Sequence, residues 1–180
     1  DPLVGHALIR SELERLRDAT LYIHDETIKG MNAGKDVHTL MREIKLPREF
    51  EVGEGYGKVA WDIRAIWENY AGFFHHRSTT ELYGVPVESI FGDLGELAGG
   101  AEAVANRAAE RLAAGETLEA VHLVEVALGA DPQNTTALEV AVAAHRQLDS
   151  ESENFWLSSW LRKQIAEFEV RRASGGDSGR

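Results

Sequence analysis

The chain contains no cysteine. That removes disulfides, thiolate nucleophiles and cysteine-based zinc sites together, and it fits a reducing, cytoplasmic compartment. Basic residues are also scarce: 19 Lys and Arg stand against 30 Asp and Glu, a formal charge of −11 over 180 residues. Such a balance repels phosphate backbones and anionic lipid heads, so nucleic acid is not an expected partner. No run approaches the roughly 18 consecutive apolar residues of a membrane-spanning helix, and the N-terminus lacks the basic-then-apolar order of a signal peptide. No membrane partner is expected. The Asp1-Pro2 start suits an excised piece of a longer chain better than a natural beginning.

What remains is helical grammar. From Leu3 to about Ala33, Ile9, Leu13, Leu16 and Ile23 recur at helical steps with Thr20 and Thr27 in the same stripe, so this stripe is expected to be buried. Gly34 is placed to stop that helix and Asp36 to cap the next, whose buried face is Val37, Leu40, Met41 and Ile44 before Pro47. Glycines 53, 55 and 57 lead into a third helix over about 58–74. Ile63, Trp67, Tyr70 and Phe74 form its inner stripe, as core or dimer interface, and Ile66 and Phe73 lie on a second stripe beside it. Two helices around a glycine turn also suit a DNA reader, but the second carries few cations.

Between His75 and Gly100 the pattern dissolves into turn formers, which reads as a long connecting arm. Beyond it, Ala108, Ala120, Ala127 and Pro132 fall where a 34-residue tetratricopeptide-type repeat places its small residues and closing proline. A further helix pair, about 136–148 and 151–170, lacks the alanine of the pattern at Asn154, so the array stops at about one and a half repeats. The expected organisation is all-α: a helical dimerisation unit with its arm over 1–92, tetratricopeptide-like helices over 100–170, and a disordered tail over 171–180.

No catalytic or metal residue is assigned. Seven histidines include no His-x-His-x-Asp-His run and no His-Glu-x-x-His, and the adjacent His75 and His76 diverge on any regular element. His24-Asp25-Glu26 is read as fold-specifying, because neighbouring helical side chains point about 100° apart and are not expected to orient one another. Gly53-x-Gly55-x-Gly57 fails the spacing of a dinucleotide loop and is followed by no Gly-Lys-Ser/Thr, so an anion-facing role is a minority reading.

Tyr22-Ile23-His24-Asp25-Glu26-Thr27, the Leu46-Pro47 break, Gly55-Tyr56-Gly57 and Trp67-x-x-Tyr70-x-Gly72 together resemble the dimerisation region of alkyl-sulfatase-type hydrolases of the metallo-β-lactamase superfamily. The resemblance implies a homodimer, an upstream catalytic domain that holds zinc, and no cofactor in this piece. It further implies substrate-access roles for Tyr56, Gly57, Trp61, Phe73, His75 and His76. Trp61-Asp62 stands where the family pattern has His-Asn, and His75-His76-Arg77-Ser78 where it has Asp-Gly-Asn-Pro. The rival reading is a stand-alone helical-repeat scaffold that binds a peptide.

Overall fold

The computed structural model describes residues 3–75 and 77–175. Among them are eight α-helices, three short 3-10 turns and no strand, so the chain is all-α. It divides into two compact units, Asp1–Tyr83 and Gly84–Arg180.

The first unit is built on α1 (His6–Asn32), α2 (Val37–Glu43) and α3 (Val59–Ala71). α1 stops as its glycine dictates. Gly34 sits at φ +76, donates to the Met31 carbonyl at 2.9 Å, and is followed by a Lys35 N–H to Gly30 O bond at 3.1 Å, the paired closure of a Schellman motif. Asp36 then accepts from the backbone N–H groups of His38 and Thr39 at 3.0 and 3.2 Å, capping α2. Ile23, Val37, Leu40, Ile44, Ile63 and Trp67 form the core of this unit.

The stripe on α1 is only half used. Ile23 and Thr27 are buried, whereas Ile9, Leu13 and Leu16 are exposed, and no α1 residue before Ala19 is buried. Periodicity marks which face a helix can bury; α2 and α3 cover only the C-terminal half of it. The third helix is shorter than the pattern implies. Gly72, at φ +71, carries the chain out of α3, so Phe73 lies beyond the helix and is exposed. Tyr70 is also exposed, not on the inner stripe with Ile63 and Trp67.

The second unit packs α5 (Ala101–Ala113), α6 (Thr117–Ala130), α7 (Thr135–Ser150) and α8 (Phe155–Gly175) each on the next, with α5 also reaching α7. Ala105, Ala108, Ala120, Ala127, Ala137 and Ala141 are fully buried, and these small side chains let the backbones approach. Glu102 on α5 accepts from Asn134 Nδ2 at 2.9 Å and Thr136 Oγ1 at 2.8 Å, while Asn134 Oδ1 caps α7 through the Ala137 N–H. These two hydrogen bonds hold the Glu102 carboxyl below its ordinary pKa.

Three expectations change here. The arm is not open throughout, because residues Phe91–Leu97 form α4, which packs on α6 through glycines. A Cβ built on Gly95 would stand 2.5 Å from that of Ala130, and one on Gly129 would stand 2.7 Å from that of Phe91. Glycine reads as a turn in sequence but serves here as close helix contact. The last helix begins at Phe155, not Glu151: Asn154 is buried and accepts the Leu157 N–H at 2.9 Å as a cap. α8 also runs through 171–175, where a tail was expected, and Arg171 secures that end by donating to the Pro132 carbonyl at 2.6 Å. The remainder of that segment lies outside the described residues.

Candidate functional site

The motif residues gather in the first unit, around α3. Glu54 begins the arrangement: its Oε1 accepts the Val59 N–H at 2.7 Å, so a carboxylate of the chain itself occupies the N-terminus of α3. A negative charge there is favoured by the helix dipole and leaves less attraction for a bound anion. It also acts on Asp62 one turn on. Partial burial, and then the charge of Glu54, push the Asp62 carboxyl above its ordinary pKa.

Along α3, Ile63 and Trp67 face the core at 0% and 8% exposure, while Trp61 is 38% exposed. Six residues at 100° each separate Trp61 and Trp67 by about 120° around the helix axis. Past Gly72 the chain folds back. The His75 N–H donates to Glu81 Oε2 at 2.6 Å, and its ring stands edge-on to Trp67 with centroids 4.8 Å apart. Arg77 Nη2 donates to Asp36 Oδ1 at 2.9 Å, which returns the segment to the cap of α2. The hydrogen bonds from Thr39 and His38, with the Arg77 charge, hold the Asp36 carboxyl down at about 2.

The structure thus joins His75 to Trp67, while Tyr56 and Phe73 are exposed. His76 lies outside the described residues. Glu54 and Arg77 are the positioning groups that the sequence reading did not single out, and neither lies within four residues of its partner.

His24 and Asp25 need a correction. His24 Nδ1 is 3.0 Å from Asp25 Oδ1, and Nε2 is 2.9 Å from the Tyr70 hydroxyl. Adjacent Cα–Cβ bonds diverge on a helix, but the rotatable side chains beyond them still reach one another. A carboxylate, an imidazole and a phenol therefore form one line between α1 and α3. With Asp25 accepting from Nδ1–H, Nε2 is left to accept a hydrogen bond from the Tyr70 hydroxyl.

Among the described residues no three of His, Asp and Glu converge as metal ligands, and no helix is long and apolar enough to cross a membrane.

A family model described as alkyl sulfatase dimerisation matches residues 37–170. The chain is 28% identical over 173 residues to a linear primary-alkylsulfatase of Pseudomonas sp., covering 93% of this chain and 33% of that protein. It is 27% identical over 165 residues to an alkyl/aryl-sulfatase of Saccharomyces cerevisiae, covering 89% of this chain and 25% of that protein. Among solved structures, the stereoselective inverting sec-alkylsulfatase from Pseudomonas sp. superposes with a TM-score of 0.82 at 27% identity, over 94% of this chain and 27% of that one. The chain thus spans a quarter to a third of the length of these relatives.

Proposed function

The chain belongs to the alkyl sulfatase dimerisation family, and from that membership we propose that it is the non-catalytic assembly and substrate-access module of a larger sulfuric ester hydrolase. The observation that carries this is coverage: nearly all of the chain superposes on a sec-alkylsulfatase while accounting for 27% of it. The match does not favour the stand-alone scaffold. In this reading two copies pair through these helices in a two-fold homodimer, the commonest closed assembly. A metallo-β-lactamase-fold domain upstream holds the zinc and performs the hydrolysis, in the cytoplasm. The exposed Tyr70 ring of the first unit supplies surface that such assembly would cover.

Tyr56, Gly57, Trp61, Phe73 and His75 border the access path to that catalytic domain in the same reading. Trp61 supplies an apolar wall where the family pattern has a histidine. The last four helices act as a tetratricopeptide-like buttress. Light scattering across the micromolar range tests the assembly. A dimer mass supports the reading, and a monomer mass throughout overturns it.

A further inference from the structure

The second unit contains a groove that no motif in the sequence announces. Phe91 of α4, Val121, Val124 and Leu128 of α6 and Phe168 of α8 give it apolar walls, around a volume of about 440 Å³. His145 of α7 lines the same groove and is only 9% exposed. Its ring meets Phe168 edge-on, with centroids 5.2 Å apart.

The tautomer of that ring follows from its partner. Nδ1 lies 2.8 Å from the Ala141 carbonyl oxygen. A carbonyl only accepts, so Nδ1 carries a proton, and in the tautomer this selects Nε2 is the acceptor. No described residue hydrogen-bonds Nε2. Gln164 of α8 lines the groove too, its Nε2 donating to Glu167 Oε2 at 3.0 Å, so its Oε1 joins Nε2 of His145 as an acceptor. Few acceptors beside apolar walls are the pattern of a small-molecule site that takes a hydrogen-bond donor. At the mouth stand Glu88, Glu125 and Arg171. Arg171 donates to the neutral Pro132 carbonyl and keeps its charge, so two carboxylates stand against one cation and the net negative sign disfavours an anionic head group.

We propose that this groove binds a neutral apolar-chain alcohol, with its hydroxyl donating to Nε2 of His145. The choice of an alcohol among neutral donors rests on the reading above, because water cleaving an alkyl sulfate ester releases an alcohol and sulfate.

Titration calorimetry of the full chain with 1-octanol, combined with the 15N resonance of His145 Nε2, tests the site. One molecule of 1-octanol should bind and move that resonance, and octyl sulfate should bind several-fold more weakly. His145→Phe keeps a ring in the cavity and removes the acceptor, and should weaken 1-octanol binding by about 2–10-fold. Val121→Trp should fill the groove and abolish binding even if the histidine variant does not fold. A wild-type resonance unmoved by saturating 1-octanol overturns the proposal, as does octyl sulfate binding equally well. Neither readout needs turnover. If the parent proves not to be a sulfatase and 1-octanol still binds, the groove stands and only the source of its alcohol falls.

Discussion

The imidazole of His24 and the phenol of Tyr70 meet at 2.9 Å across 46 residues of sequence. This contact explains why two short motifs, one on α1 and one at the end of α3, belong to a single pattern. Both side chains are partly open to water, so the bond contributes at the modest end of the usual range. A double-mutant cycle of His24→Ala and Tyr70→Phe, read by urea unfolding, should give a coupling of about 0.5–1 kcal/mol. Additive losses would mean that the two rings are merely adjacent.

Trp67 and Trp61 should respond differently to truncation. Trp67→Ala removes a ring from the core beside Ile63 and should cost about 3–5 kcal/mol. Trp61→Ala removes a ring that is 38% exposed and should cost no more than about 1 kcal/mol. Parallel denaturation curves decide the matter, and equal losses would make Trp61 a core residue.

Asp36 gives the first unit an acid sensitivity. Its carboxyl falls from an ordinary 3.8 to about 2 in the folded state. A lowered folded pKa means that the stabilisation is present above 3.8 and is lost as pH falls from there towards 2. Asn caps helices as well as Asp but does not titrate. The melting temperature of the wild type should therefore exceed that of Asp36→Asn at pH 6, and the gap should narrow below pH 4. A gap of constant size from pH 6 to pH 2 would remove the carboxylate from the explanation.

Two glycines of α4 should move stability in opposite directions. Gly95→Ala would force a methyl to within 2.5 Å of the Ala130 Cβ, which can yield only if α4 and α6 separate, at a cost of about 1–3 kcal/mol. A Cβ on Gly92 meets nothing within 4 Å, so Gly92→Ala should stabilise by about 0.5–1 kcal/mol through helix propensity. Thermal melts of the two variants check both signs.

These residues also show how far the sequence could be read. Asp36 and Gly34 were legible because a cap and a Schellman closure are local, complete within a few residues of chain. The first three helices followed from hydrophobic period, and the helices of the second unit from the spacing of their small residues. α4 was hidden because Gly95 and Gly129 work through what they lack, a property indistinguishable in sequence from turn formation. Asn154 looked like a missing alanine because its capping role depends on where the helix starts. His24 was judged by the direction of its Cβ, and Tyr70 by its place in a stripe, whereas the contact between them is tertiary. Arg77 and Asp36 could not be paired from sequence for the same reason.

The bare N-terminal half of α1 has a thermodynamic consequence. Its buried residues begin at Ala19, so the turns before it lack the packing that holds most short helices together in water. One continuous helix of 27 residues should then behave as two cooperative units. Amides of the packed turns around Ala19, Ile23 and Thr27 should exchange hydrogen when the core opens, and those before them by fraying at smaller free energy. Whatever surface comes to lie on Ile9, Leu13 and Leu16 would therefore extend the rigid part of the helix, turning a contact at one end of α1 into slower exchange along its first turns.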